Sequence, residues 1–516
     1  MKFLFIFCVV ALSGFCSFGQ NKYDITSYGA VNDGKTIATK SLQAAIDACN
    51  KNGGGDVIVP AGLFIIGTVY LKSNVHLYLQ AGAILRGSPT LQDYEAYTPE
   101  KPYVPIHKGM FFTEDAENVV ISGEGQIDGN GDIFFKPGEA KKLDAQATKY
   151  TRQKDSYRKV ASGIGDGPIV PRERPYQMFV FSNCRKVTVR DIRITSAPFW
   201  CMHFADCDAV EIKNIRLWNN LLAPNADGID ITSCTNVIIE GCDIRTGDDA
   251  IAIVGYDHHF EIPGFKKMRH LSENIIVSNC NLQSYSSGIR IGFLDQNTVR
   301  NIQVSNVNIT NSTRGIGIFL RDEGSLENIT FANIYIETHL RTGDWWGNGE
   351  PIHISAVRGK EHVKLGQIKH VLFNDIICKG ENGILVYGSD ESIIEDVSFE
   401  HIRFEFTDSK LNDVAGGNID LRGSSLDKSL FSRDIPGLLA QYVKNLRIDD
   451  FQLQWTNTRM PYFTHGIELA DFEDVTISNF KGAASPVNPN AYRIYAKNGK
   501  GLKIENKENI QIKNVL

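Results

Sequence analysis

The sequence predicts an all-β protein, a single-domain right-handed parallel β-helix with an N-terminal capping helix and loop insertions. Two repeats and a glycine excess predict it. One repeat reads polar–apolar–any–apolar, and its anchors Val187, Val210, Val237, Ile275, Ile302 and Ile329 mostly lie about 23 to 27 residues apart. The second reads small–Ile–any–Ile, as in Gly228-Ile229-Asp230-Ile231 and Gly288-Ile289-Arg290-Ile291. The 46 glycines favour many tight turns over long helices. No Leu-x-x-Leu-x-Leu frame or helical period separates the short strands, which excludes a leucine-rich array.

The chain begins with Lys2 and an apolar run to about Phe15, then Ser17-Phe18-Gly19. That order predicts a signal peptide over residues 1–19, and an exported protein, periplasmic or secreted. No later stretch holds about 18 uninterrupted apolar residues, so no membrane span is expected. Residues 20–516 are expected to form one β-helix domain. Residues 37–49 carry helical spacing and end at Asn52-Gly53-Gly54-Gly55, which marks a helix over the open end of the core and then a turn.

Cys184, Cys207 and Cys234 occupy one repeat position, which predicts stacked, buried thiols; disulfides are the alternative. No CxxC pair exists. A net charge of −6 gives a nucleic-acid partner no electrostatic support.

Residues between paired isoleucines point outward from a strand. Asp230, Ala252, Arg290, Gly317, His353, Leu385 and Glu468 therefore form one outward ladder with rungs about 4.8 Å apart. The longer gaps between anchors, including those after Val119 and Val397, are loop insertions of the kind that decorate a binding face.

The carboxylates carry the chemistry. Asn225-Ala226-Asp227-Gly228-Ile229-Asp230 precedes one strand, and Gly247-Asp248-Asp249-Ala250 precedes the equivalent strand one coil later. Asp227, Asp248 and Asp249 should crowd together, and like charges raise at least one pKa. Glycoside hydrolysis needs such a protonated carboxyl beside an ionised one.

These motifs, with Tyr28-Gly29-Ala30-Val31-Asn32-Asp33-Gly34 and Ser196-Ala197-Pro198-Phe199-Trp200, resemble glycoside hydrolase family 28, the polygalacturonases and their relatives. The resemblance runs from about Tyr23 to the C-terminus. It implies inverting hydrolysis of pectin-type α-glycosidic bonds, with a carbohydrate substrate and no metal or cofactor. It implies Asp248 as general acid, and Asp227 with Asp249 as the pair that holds and deprotonates water.

The sequence also departs from the family. Ser287-Gly288 stands where polygalacturonases have His-Gly, and Gly317-Ile318-Phe319 where they have Arg-Ile-Lys. Those groups bind galacturonate, so plain polygalacturonate is not the expected substrate; a rhamnogalacturonan or side-chain glycan is. Arg290, with Arg314 and Arg321 nearby, is expected to meet the sugar instead. Trp346 in Trp345-Trp346-Gly347-Asn348-Gly349-Glu350 is expected to stack on it, with Glu350 and His353 projecting near the groove. Asp230 and Ser287 complete the substrate-binding set.

Asp257-His258-His259 is expected to be a substrate-side loop rather than a metal cluster. Asp128-Gly129-Asn130-Gly131-Asp132 is expected to be a turn. A lyase on the same fold and a non-catalytic carbohydrate-binding solenoid are the competing classes.

Overall fold

In a computed structural model, the chain winds as a right-handed parallel β-helix. The structure describes residues 21–96, 107–256, 270–295, 297–426, 428–505 and 508–516. The expected signal peptide and Asp257-His258-His259 lie outside the described residues. Among the described residues no helix is long and apolar enough to cross a membrane.

Local sequence explains each coil. A coil contributes three short strands, as in β1 (Met202–Ala205), Asp208–Lys213 and Arg216–Trp218. The polar residue that opens the second strand turns the chain. Asn236, Asn274, Asn301 and Asn328 all sit near φ +57°, the left-handed region that Asn tolerates and branched residues do not. Their side chains bond along the axis, Asn328 Nδ2 donating to Asn301 Oδ1 at 3.2 Å and Asn301 Nδ2 to Asn274 Oδ1 at 3.1 Å. Like residues then stack inside: Phe331, Phe373 and Phe399 lie nearly parallel with centroids 5.0 Å apart.

The groove face is built from β1 and its successors β2 (Ile229–Thr232), β3 (Ile251–Val254), β4 (Ser287–Ile291), β5 (Arg314–Leu320) and β6 (Ile352–Ala356). Ile229, Ile251, Ile289, Ile316 and Ile352 are buried, and all five stand in register. Each contributes on the order of 2 kcal/mol by leaving water. Register also places Asp230 opposite Ala252, then Arg290, Gly317, His353 and Leu385, the expected ladder. It extends backward to His203 and gains Leu439 before Glu468. Gly228 is required because a Cβ there would stand 2.4 Å from the Ala250 carbonyl oxygen on the next coil.

The capping helix α1 (Thr39–Lys51) buries Leu42, Ala45, Ile46 and Cys49 against the first coils. It starts two residues later than the periodicity predicts. Ile37 instead ends a strand, pairs with Ile65 and is 42% exposed. The described cysteines are all free and buried, and Cys184, Cys207 and Cys234 stack on successive coils, the Cys207 N–H donating to Cys234 Sγ at 3.3 Å.

Two insertions stand beside the groove. One, between Asp128 and Phe179, carries an antiparallel pair, Phe135–Ala140 with Ile169–Pro171. The other, after Thr407, carries Asn418–Asp420 paired with Leu430–Ser432. They hold each other: the Arg158 N–H donates to the Val414 carbonyl at 2.7 Å, and Arg152 pairs with Asp434 at 2.8 Å. Asp128 ends the strand Gln126–Asp128 and starts the turn that follows, its Oδ1 accepting the Asn130 N–H at 2.9 Å.

Candidate active site

Asp227 leads into β2, and Asp248 and Asp249 lead into β3. Backbone carbonyls fix the two segments. Asn219 Nδ2 donates to the carbonyls of Ala226 and Asp227, each at 3.2 Å. Ser284 Oγ donates to the Asp248 carbonyl at 2.6 Å. The result brings one oxygen of each carboxyl within 4.8 Å of the others. Among the described residues this is the one such cluster.

The three carboxyls differ in what they accept. Asp248 takes the Asn225 N–H on Oδ2 at 3.2 Å and the Asp249 N–H on Oδ1 at 3.1 Å. Burial and the neighbouring Asp249 nevertheless push it up to about 6. Asp227 is also pushed upward, first by burial and then by Asp248 and Asp230, and its buried Oδ1 has no hydrogen-bond partner. Asp249 accepts the Ser287 N–H on Oδ1 at 3.0 Å and is bound on Oδ2 by Arg290 Nε. Arg174 holds positive charge behind Asp227 and Asp248. Its guanidinium donates to the carbonyls of Pro198 and Pro224 and to Asn225 Oδ1, and burial lowers it to about 10. Two guanidiniums, Arg174 and Arg290, thus stand close enough to the three carboxyls to act on their charge.

The carboxyls open onto a cavity of about 170 Å³. Of the expected substrate-binding residues, Ser287, Arg290, Arg314, Arg321 and Trp346 line it. Trp345 turns inward, its indole N–H donating to the Asp166 carbonyl, while Trp346 stays 39% exposed. Arg290 faces the cavity but is already engaged by Asp249, so it is not a free guanidinium awaiting a sugar.

Asp230, Glu350 and His353 do not line the cavity, contrary to expectation. Asp230 is buried beneath Arg290 and is pushed upward by burial. Glu350 is 2% exposed, accepts the Asn348 N–H at 2.6 Å and lies 3.8 Å from Arg314. Burial works against its charge, but Arg314, His353 and that N–H hold it below the ordinary value. His353 is buried and lowered to about 4 by desolvation. Gly317 is the reason. A Cβ there would lie 2.5 Å from the Phe319 ring, so the ring occupies the space a side chain would fill. The ring meets His353 edge-on at 5.1 Å and lies between the guanidiniums of Arg314 and Arg321, 4.8 and 5.4 Å away.

Sequence reasoning missed Arg174, Asp420 and Arg422. Arg174 and the Asp420–Arg422 pair come from the two insertions, which carry no period to place them. Arg422 binds Asp420 at 2.8 Å and Asp344 at 2.9 Å and lies 5.1 Å from the Trp346 ring. Burial opposes its charge, but Asp420 holds the guanidinium above its ordinary value.

Residues 165–341 match the model described as glycosyl hydrolases family 28. That stretch is similar to family 28. The matched segment contains all three carboxylates, Arg174, Ser287, Arg290, Arg314 and Arg321, whereas Trp346, Asp420 and Arg422 lie beyond it. The chain is 27% identical over 247 residues to a probable polygalacturonase of Vitis vinifera, covering 46% of this chain and 45% of that protein. It is 29% identical over 251 residues to the exo-poly-alpha-D-galacturonosidase of Dickeya chrysanthemi, covering 44% and 41%. The chain spans about half the length of the curated relatives it matches. The fold is shared with a hyperthermoactive exopolygalacturonase from Thermotoga maritima, at TM-score 0.58 and 22% identity over 85% of this chain and 93% of that one.

Proposed function

We propose that the protein is an exported, inverting glycoside hydrolase that cleaves α-glycosidic bonds in a pectin-related glycan other than plain polygalacturonate. The observation that carries this reading is the cluster of Asp227, Asp248 and Asp249 on one cavity, with Asp248 raised to about 6. An acid with that proton affinity still holds its proton in mildly acidic solution and can give it to a leaving oxygen. Water held between Asp227 and Asp249 attacks the anomeric carbon from the other side. The names of the curated relatives support a galacturonan-type backbone.

The departures support a different glycan within that class. Phe319 replaces a cation with a ring, and Ser287 replaces an imidazole. The cavity answers with Arg314, Arg321 and Arg422 against Trp200 and Trp346. Such a lining suits a rhamnogalacturonan or a branched acidic sugar, stacked on indole and held by guanidinium. The second insertion, tied to the first, walls the cavity with Asp420 and Arg422, which favours release of short products from a chain end. Export follows from the residues before Gln20, and residues 20–516 act as one β-helical unit.

The test is a screen of the purified protein against pectic, rhamnogalacturonan and algal oligosaccharides. Reducing-sugar release lost in Asp248→Asn supports the reading. Release of an unsaturated uronide, detected by ultraviolet absorbance, replaces it with a lyase. Binding without product replaces it with a carbohydrate-binding solenoid.

A further inference from the structure

Asp249 differs from its two partners in that a cation and a backbone donor already occupy it. Ser287 N–H takes Oδ1 and Arg290 Nε takes Oδ2. Arg290 is fixed at its other end as well: Nη1 donates to the Gly292 carbonyl at 3.1 Å, and the guanidinium lies 5.7 Å from the Phe293 ring. The pairing follows from register. Arg290 sits opposite Ala252 of the preceding coil, so its side chain crosses back to the carboxyl that precedes β3. Asp227 offers the contrast, a buried Oδ1 that faces no protein donor.

A carboxylate paired with a fixed guanidinium is stabilised in its ionised form and loses that stabilisation when it takes a proton from water. We propose that Arg290 is a positioning residue that withdraws Asp249 from proton transfer and leaves Asp227 as the sole base opposite Asp248. This rests on the glycosidase reading above. The step balances: as the water oxygen bonds to the anomeric carbon, its proton passes to Asp227. The glycosidic carbon–oxygen bond breaks, and the departing oxygen takes the proton of Asp248. Asp249 keeps its charge throughout and holds the water through a remaining lone pair.

Charged groups surround this pair on several sides. Asp227, Asp230 and Asp248 face it as buried carboxyls, all pushed upward by burial and by neighbouring carboxyls. Tyr256 and Asp295 stand on the Arg290 side. Arg314 reaches Ser287 from the next coil at 3.5 Å, and Arg174 lies behind Asp227 and Asp248. Without Arg290, Asp249 would face mainly like charge and would compete for the protons of the triad. Carboxylates then ionise at higher pH, so the acidic limb of activity moves upward.

The experiment compares full-length Arg290→Gln, Arg290→Lys, Asp249→Asn and Asp227→Asn, each checked for an unchanged melting transition. The substrate is the oligosaccharide the screen identifies. For Arg290→Gln, kcat should fall on the order of 100-fold with KM little changed. Its acidic limb should rise by about one pH unit. Arg290→Lys should return the limb toward its original position, because the charge is kept even though the fork geometry is lost. Asp249→Asn should retain at least about tenfold more kcat than Asp227→Asn. An unmoved acidic limb in Arg290→Gln, or an Asp249→Asn as inactive as Asp227→Asn, overturns the inference.

If the wild type cleaves no glycan, the glycosidase reading fails separately. Carbon-13 titration of aspartate-labelled protein then still judges Arg290. Triad carboxyls that titrate at higher pH in Arg290→Gln than in the wild type support its role, and an unchanged titration overturns it.

Discussion

Asp227 and Asp249 stand at the same position on successive coils, joined by the Gly228 N–H, which donates to the Asp249 carbonyl at 2.9 Å. The backbone ladder that builds the solenoid therefore also sets the spacing of the carboxyls. Gly228 makes the approach possible, and any larger residue there would strike the Ala250 carbonyl.

Asp248→Asn separates chemistry from stability. The amide keeps the shape, and its single oxygen keeps one of the two N–H donors from Asn225 and Asp249, but it has no acidic proton. Turnover should fall by at least about 100-fold. The melting temperature at pH 7 should hold or rise, because a carboxyl raised to about 6 carries unfavourable charge there. Reducing-sugar assays and calorimetry check the two halves. A variant that is active, or one that is unfolded, contradicts the assignment.

The same group sets a pH window. A general acid works only while protonated, so kcat/KM should decline as pH rises through about 6, the value to which burial and Asp249 push Asp248. The direction is fixed by the sign of the shift: the folded state holds the proton to higher pH than an exposed aspartate would. A profile of kcat/KM against pH measures the basic limb. Full activity persisting to pH 8 would remove Asp248 from the acid role.

The legible part of the site was the part that repeats. Asp227 and Asp248-Asp249 could be placed because both precede a strand with the same isoleucine pattern, and register does the rest. Arg290 was placed on the right rung for the same reason. What it touches was not legible, because a long side chain chooses its partner across coils by charge and geometry. Glu350 and His353 illustrate the opposite error. The alternation put His353 on the outward ladder, but an empty position at Gly317 let Phe319 fold over it. Asp420 and Arg422 lie in an insertion without a period, so only tertiary packing brings them to the cavity.

Arg422 joins the second insertion to the wall. Its guanidinium bonds Asp420 and Asp344 and lies near Trp346, while Asp420 is buried. Arg422→Ala should leave an unpaired buried carboxylate and cost about 3 kcal/mol of stability. The freed wall should also admit longer chains. Denaturant melts and the size distribution of products test both effects. Unchanged stability with unchanged product length would show that the insertion is held in place without this pair.

Gly317 and Phe319 together explain the departure from a galacturonate-binding surface, and they can be changed together. Gly317→Arg alone drives a side chain into the Phe319 ring, which a Cβ would already approach to 2.5 Å. Such overpacking should cost about 1–3 kcal/mol. Gly317→Arg with Phe319→Lys removes the ring and restores the Arg-Ile-Lys sequence of the family. The double variant should recover the lost melting temperature and gain measurable release of reducing ends from polygalacturonate. Strong non-additivity between the two changes is expected because they share one space. A double variant as unstable as the single one would place the strain elsewhere. A stable double variant still inactive on polygalacturonate would assign the specificity to Ser287 instead.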